Sequence, residues 1–133
     1  MTPQERARRA ADAMWAGDRA SQALGMRLLD VAPGRAVLEM TVRDDMVNGH
    51  AIGHGGLTFS LADSAFAFAC NSYNRSTVAA GADVRFLAPT QLGDVLVAEA
   101  VERSREGRDG VYDVTVRCAV SYTHLTLPTT ERV

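Results

Sequence analysis

The longest apolar stretch of the chain predicts one long helix over about residues 55–73. Its apolar residues recur at helical spacing and most positions between them are small, so nearly the whole circumference suits burial. The periodic positions are Leu57, Leu61, Ala65, Phe66, Ala69 and Cys70. Asp63 interrupts this stretch, and an ionised carboxylate is costly to bury unless it is paired, hydrogen-bonded or used in chemistry. Asp63 is therefore the first candidate functional residue.

The segments before this stretch predict a second helix and a β-hairpin. Residues 3–24 combine good helix formers with Pro3 in the first turn and Gly25 as the stop signal. Residues 26–31 and 35–43 alternate apolar and polar positions on either side of Ala-Pro-Gly, which is a turn sequence. One face of the second segment carries Ala36, Leu38, Met40 and Val42. We expect that face to pack in the core.

Three Val-rich segments after the long helix predict further strands, at residues 77–88, 94–104 and 111–120. The connections between them are short and contain proline or glycine, which favours antiparallel neighbours. The order of elements indicates the α+β class. We expect a curved antiparallel β-sheet wrapped around the long central α-helix, forming one domain over residues 1–120.

The last thirteen residues, SYTHLTLPTTERV at 121–133, do not continue this pattern. They contain neither a glycine turn nor an alternating apolar segment, and Pro128 argues against a central strand. The segment is either a divergent end or a non-native sequence, so the sequence leaves the closing strand of the sheet open, and we expect no chemistry from this segment.

Composition narrows the functional classes. With 133 residues and 47% hydrophobic content, the chain can form one domain with a real core. The net charge of −2 is scattered along the chain and gives no basic surface for nucleic acid. Cys70 and Cys118 are expected to be reduced core residues, and His50 and His54 lack a nearby third metal ligand. Neither a secretory signal nor an apolar run of about 20 residues is visible, so a cytoplasmic protein is expected.

Two motifs carry a resemblance to a known family. The segment NGHAIGHGGLTFSLAD at residues 48–63, followed by VRFLAPTQLGD at residues 84–94, resembles the hotdog-fold acyl-CoA thioesterases, most closely the PaaI type of phenylacetate degradation. The likeness covers about residues 11–119. It implies a hotdog fold, no cofactor, and hydrolysis of phenylacetyl-CoA, hydroxyphenylacetyl-CoA or a related aryl-CoA to the free acid and CoA.

Thioester hydrolysis needs a donor for the carbonyl oxygen and a base or nucleophile for the carbonyl carbon. Gly55 and Gly56 open the central helix, where unpaired backbone N–H groups meet the positive end of the helix dipole. By the resemblance, the N–H of Gly55 polarises the carbonyl, and Asp63 is the catalytic carboxylate, either as general base or as nucleophile. Asn48 matches the amide that orients water or thioester. His54 matches a histidine that shapes the loop or contacts the sulfur side of the substrate.

The spacing of Gly55 and Asp63 has a consequence of its own. Eight residues along one helix separate them by about 12 Å, whereas donor and base must both lie within about 3 Å of the reacting carbonyl. If both act, Gly55 of one protomer meets Asp63 of another, and the active site lies across a symmetric dimer. The resemblance adds that PaaI-type enzymes are commonly homotetramers.

Other interpretations stay open at this point. A lone aspartate on a helix is often a structural polar group, and glycines at a helix start are often only caps or close-packing positions. A non-catalytic acyl-CoA-binding or regulatory hotdog domain, or a hotdog dehydratase acting on hydroxyacyl thioesters, are the alternative functions. Three arginines on predicted strands, Arg85, Arg103 and Arg105, either contact CoA phosphates or form a solvated face, and the sequence assigns none of them.

Overall fold

The structure is a computed structural model that describes residues 1–119 and 129–132. Its helices are α1 (Pro3–Gly17), α2 (Arg19–Ala23) and α3 (Gly55–Cys70), with a single 3-10 turn at Asp44–Met46. Its strands are β1 (Arg27–Ala32), β2 (Arg35–Thr41), β3 (Asp83–Arg85), β4 (Val95–Glu106), β5 (Asp109–Cys118) and β6 (Thr129–Arg132). No helix in these described ranges is both long and apolar enough to cross a membrane.

The six strands form one antiparallel sheet in the order β1-β2-β4-β5-β6-β3. Helix α3 packs on this sheet, mainly against β2, β4 and β5. An antiparallel sheet with one long central helix against it confirms the predicted α+β class and the hotdog fold. The hairpin of β1 and β2 and the burial of one β2 face follow the sequence pattern.

The core lies between α3 and the sheet. Leu61 and Phe68 of α3 are fully buried together with Leu38 of β2, Leu96 of β4 and Val114 of β5. Burying a large apolar side chain contributes about 1.5–3 kcal/mol, so this contact is the main force that holds α3 on the sheet. This packing fixes the position and direction of α3. It therefore also determines which residues of α3 lie on its exposed face.

The predicted N-terminal helix is in fact two helices. It begins as expected, with a capping box between Thr2 and Glu5, but it breaks at Asp18. The Asp18 carboxylate accepts hydrogen bonds from the N–H and the hydroxyl of Ser21, at 3.0 and 2.7 Å, and so begins α2. The preceding Gly17 weakens the first helix, and the aspartate cap offers the chain a new start.

The central helix ends three residues earlier than predicted, at Cys70 rather than at residue 73. The Asn71 side chain is the physical reason. Its Nδ2 donates to the carbonyls of Ala67 and Thr77, and its Oδ1 accepts from the N–H of Thr77 at 2.8 Å. These side-chain bonds cap the end of the helix and connect it to Thr77, so the chain turns away from the helix there.

The strand predicted at residues 77–88 is wrong in length, because only Asp83–Arg85 form β3. All three residues of β3 pair with β6, and within residues 1–119 and 129–132 no strand pairs with residues 77–82. The tail contributes a strand to the sheet, since Thr129–Arg132 pair with both β5 and β3. Residues 120–128, including Pro128, and residue 133 lie outside the described residues, and the non-native interpretation of 121–133 stays a prediction.

Candidate active site

The loop that precedes α3 is organised around Asn48. Its side-chain Oδ1 accepts from the N–H groups of His50 and Ile52, at 2.9 and 3.1 Å, and its backbone bonds to Ile52 and Ala51 close the same turn. Ala51 adopts the left-handed conformation, with φ of 61°. Because the acceptor oxygen is used by the loop, the amide orientation is fixed. The Asn48 NH₂ group has no partner among the residues that the structure describes.

The loop is also fastened to the connection between β3 and β4. The N–H of Gly53 donates to the carbonyl of Thr90 at 2.8 Å, and a bridge pairs Ile52 with Gln91. A β-carbon built on Gly53 would overlap the Thr90 hydroxyl, so any larger residue at this position would force the Thr90 side chain to move. Sequence reasoning did not single out Gly53 or Thr90, although both lie within the two motifs that carried the resemblance.

Helix α3 begins with His54 as its N-cap residue. The His54 N–H donates to the carbonyl of Met46 at 2.9 Å, while its own carbonyl accepts from Leu57 and Thr58. Its imidazole is exposed and makes no capping hydrogen bond. Across the described ranges, the N–H groups of Gly55 and Gly56 have no acceptor. They form an unpaired donor pair at the positive end of the helix, as the sequence predicted.

Phe86 covers one side of this helix start. A β-carbon on Gly55 would lie 3.1 Å from Cε1 of the Phe86 ring, so the absence of a side chain at Gly55 lets the ring approach. The ring is 56% exposed in the single chain. Sequence reasoning did not consider Phe86, although the resemblance motif VRFLAP contains it. An exposed aromatic ring beside two unpaired N–H groups is suited to contact an apolar acyl group.

Asp63 lies on the exposed face of α3, which corrects the expectation that nearly the whole helix is buried. Gly56, Ser60, Asp63 and Ala67 follow one another along that face at helical spacing, and none of them is buried in the single chain. The sequence pattern failed here because small residues fit either a core or a close contact with another molecule. The Asp63 carboxylate therefore needs no buried partner within its own chain.

The pKa of Asp63 is raised from its ordinary value. Although the side chain reaches solvent, the packed atoms around its base exclude part of the water, and the resulting desolvation is the larger cause. The negative charge of Asp18 is the second cause. Asp18 is held near α3 by Ser21, whose hydroxyl donates to Asp18 and lies 2.8 Å from the hydroxyl of Ser64. No local pattern predicts this link, because it joins residues 43 positions apart.

The structure brings four of the predicted site residues to one place and leaves the fifth apart. Asn48, His54, Gly55 and Gly56 form the loop and the first turn of α3. Asp63 lies two turns further along the same unbroken helix, about 12 Å from Gly55 at the α-helical rise. A single chain therefore does not bring the donor and the carboxylate to one carbonyl group.

The thiol of Cys70, at the end of α3, is not suited to act as a nucleophile. Burial raises the pKa of the Cys70 thiol to about 11, which keeps it protonated near neutral pH and unsuited to nucleophilic attack.

In the part of the chain that the structure describes, no three His, Cys, Asp or Glu side chains are grouped as metal ligands. The predicted absence of a cofactor stays a prediction.

Comparisons with known proteins identify the family of the chain. Residues 50–123 match the thioesterase superfamily. The chain is 44% identical to the acyl-coenzyme A thioesterase PaaI of Escherichia coli over 106 residues. The aligned region covers 80% of this chain and 76% of that protein. The chain is 34% identical to a putative esterase of Archaeoglobus fulgidus over 82% of this chain and 71% of the esterase.

Solved structures give the same result. The E. coli PaaI protein superposes with a TM-score of 0.91 at 37% identity, covering 98% of this chain and 93% of that one. The TT0310 protein of Thermus thermophilus superposes with a TM-score of 0.76 at 36% identity, covering 86% of this chain and 96% of that one. The chain therefore belongs to the thioesterase superfamily, among the hotdog-fold acyl-CoA thioesterases of the PaaI type.

Proposed function

We propose that this enzyme hydrolyses phenylacetyl-CoA, hydroxyphenylacetyl-CoA or a related aryl-CoA to the free acid and CoA, as a step of phenylacetate degradation. The solved E. coli relative is described as the PaaI protein of the phenylacetic acid degradation operon, which supports this class of acyl group. The observation that carries the proposal is the unpaired N–H pair of Gly55 and Gly56 under the exposed ring of Phe86. It combines a donor site for a carbonyl oxygen with an apolar surface for an acyl group.

In the proposed reaction, the Gly55 N–H donates to the thioester oxygen and stabilises the negative charge that develops there. Asp63 then acts by one of two routes. As a general base it takes a proton from water, which adds to the carbonyl carbon; the C–S bond breaks and the thiolate leaves with that proton. As a nucleophile its carboxylate adds to the carbonyl carbon, the C–S bond breaks and the CoA thiolate leaves, which gives a mixed anhydride; water then hydrolyses the anhydride to the free acid, regenerates the Asp63 carboxylate and supplies the proton that the thiolate takes up. The raised pKa of Asp63 makes its carboxylate a stronger base than an ordinary aspartate.

The partner in this proposal is a second copy of the chain. Because Gly55 and Asp63 are two turns apart on one helix, the site needs Asp63 from the neighbouring protomer. The exposed face of α3 supports such a contact, since Gly56, Ser60 and Ala67 are small enough for another helix to approach closely. We propose a homodimer with two shared sites, assembled further into a homotetramer.

Within this site, the NH₂ group of Asn48 orients the water or the thioester, since its oxygen is already used by the loop. His54 and Gly56 contact the substrate beside the helix start. The exposed His54 side chain lies next to the Gly55 donor in sequence and can meet the sulfur side of the thioester. Neither histidine of the loop is needed as a base in this mechanism.

The function is tested by the release of free thiol from a panel of acyl-CoAs. We expect turnover of phenylacetyl-CoA and hydroxyphenylacetyl-CoA to exceed that of medium-chain fatty acyl-CoA. A preference for the fatty acyl substrate contradicts the assignment of the acyl group. The absence of any thiol release by a folded oligomer contradicts the enzymatic proposal and favours an acyl-CoA-binding domain.

A further inference from the structure

A cavity lies at the other end of α3 from Gly55. It has a volume of about 680 Å³ and is enclosed by the end of α3, the loop that follows it and the turn between β4 and β5. Three arginines from separate segments line it, namely Arg75, Arg105 and Arg108. We call it the arginine cavity. The proposed reaction assigns no role to any of these residues.

The charge of the arginine cavity differs from that of the whole protein. The chain carries a net charge of −2, whereas three arginines and one aspartate, Asp109, line the cavity. Glu102 lies 3.9 Å from Arg105 and offsets part of its charge. In the described residues, Arg75 and Arg108 form no ion pair. The lining of the arginine cavity therefore carries an excess of positive charge, although the chain as a whole is slightly acidic.

Part of this surface is fixed in position before any ligand binds. The guanidinium of Arg105 lies over the ring of Tyr73, 3.6 Å from its centroid. The Tyr73 hydroxyl in turn donates to Glu102 at 2.8 Å. These contacts reduce the entropy that Arg105 would lose on binding an anion. At the lip of the cavity, Val78 is 85% exposed and offers an apolar contact next to the charged groups.

We propose that the arginine cavity binds the phosphates of the nucleotide end of CoA, with the adenine ring against Val78. This inference rests on the proposed function. Cys70 lines the cavity and lies about 10 Å beyond Asp63 along α3. In the shared site the thioester reacts at Asp63, and the flexible pantetheine arm separates it from the phosphates. The cavity thus lies on the same helix as the carboxylate, in the direction away from the reacting group.

The test compares substrates with and without the nucleotide. Arg75→Gln, Arg108→Gln and the double variant each remove charge from exposed positions, where substitutions rarely affect folding. We expect KM for phenylacetyl-CoA to rise about fivefold for each single variant and about 20-fold for the double variant, with kcat unchanged. With the N-acetylcysteamine thioester of phenylacetate, which has no phosphates, all variants should match the wild type.

The matched control is Arg27→Gln, which removes the same charge from edge strand β1, where Arg27 pairs with Glu39. We expect wild-type KM for both substrates in this variant. A double variant that keeps the wild-type KM for phenylacetyl-CoA contradicts the proposal. An equal rise in KM for the phosphate-free thioester contradicts it as well.

A binding measurement separates this proposal from the enzymatic one. Calorimetry with adenosine 3′,5′-bisphosphate should show binding to the wild type and loss of binding in the double variant, whether or not the protein hydrolyses thioesters. Failure of the wild type to bind it contradicts the assigned cavity. Equal affinity for inorganic phosphate points to a simple anion site and contradicts the assignment to the nucleotide.

Discussion

The ring of Phe86 lies against Gly55, so close that a β-carbon on Gly55 would be 3.1 Å from the ring edge. This contact places an aromatic surface beside the proposed carbonyl donor. A methyl group at Gly55 would therefore push the Phe86 ring away from the start of α3. The contact between Phe86 and Gly55 therefore matters for the proposed site and not for forming the helix.

We expect Gly55→Ala to reduce kcat/KM for phenylacetyl-CoA about tenfold, because the methyl group displaces Phe86 while the N–H donor is kept. Steady-state kinetics measures this loss. The control is Gly17→Ala at the end of α1, where a β-carbon would meet no atom within 4 Å. Unchanged kinetics in Gly55→Ala would show that the position of the Phe86 ring does not matter for turnover.

Two variants of Asn48 separate its loop role from its proposed role in the reaction. Asn48→Asp retains the oxygen that accepts from His50 and Ile52 but removes the NH₂ donor. We expect it to keep the wild-type melting temperature and to lose about 10- to 100-fold in kcat. Asn48→Ala should also lose loop hydrogen bonds, each contributing about 1 kcal/mol, and melt at a lower temperature. Wild-type turnover in Asn48→Asp would rule out a function for the amide donor.

The pH dependence follows from the raised pKa of Asp63. Its carboxylate must be ionised to act, so kcat/KM falls as the pH drops through the raised pKa, at a higher pH than for an ordinary aspartate. Asp18→Asn removes the nearby negative charge, lowers the pKa of Asp63 and should move this acidic limb to lower pH. Asparagine remains a good N-cap for α2. The control is Asp12→Asn on α1. If kcat/KM falls at the same acidic pH in the wild type, in Asp18→Asn and in Asp12→Asn, the coupling between Asp18 and Asp63 is contradicted.

The same shift predicts an effect on stability. A carboxyl group whose pKa is higher in the folded than in the unfolded chain binds its proton more tightly when folded, so its ionised form disfavours folding as the pH rises above the ordinary value. Asp63→Asn should therefore melt no lower than the wild type at neutral pH while losing at least about a hundredfold in kcat. Thermal unfolding and thiol release, measured on the same preparation, test both statements. A variant that turns over at the wild-type rate would falsify the assigned mechanism.

The sequence predicted the parts of the fold that depend on local pattern. The apolar spacing of α3 and the alternation of β2 gave the central helix and the buried strand face, because such periodicity reflects packing directly. The sequence did not predict the break at Asp18 or the end of α3 at Cys70, since side-chain caps compete there with a continuing helix. The length of β3 was also missed, because the extent of a strand depends on pairing with distant segments, which the local pattern does not show.

The sequence predicted only part of the candidate site, as it predicted only part of the fold. The motif at residues 48–63 identified the loop, the glycine pair and Asp63. It did not show that Asp63 is exposed, or that Phe86 covers Gly55, because both depend on how distant segments pack. The sequence also did not show that Arg75, Arg105 and Arg108 line one cavity, because this too depends on how separate segments pack.

The central claim is that Gly55 of one protomer and Asp63 of its partner form one site, and complementation of two inactive variants tests it most directly. Gly55→Pro removes the N–H donor at a position that tolerates proline, since it is the first helical residue and His54 before it is extended, with φ of −66° and ψ of 131°. The second variant is Asp63→Asn. Both proteins should be dimeric and inactive alone.

Co-expressed at equal levels, the two variants should recover about a quarter of the wild-type activity, because half of the dimers are mixed and each contains one intact site of two. Tagged copies allow the mixed dimer to be isolated and its activity measured by thiol release. Activity in that dimer, absent from both parents, is the result that the shared site predicts. An inactive mixed dimer of proven composition would contradict it and return both residues to separate roles.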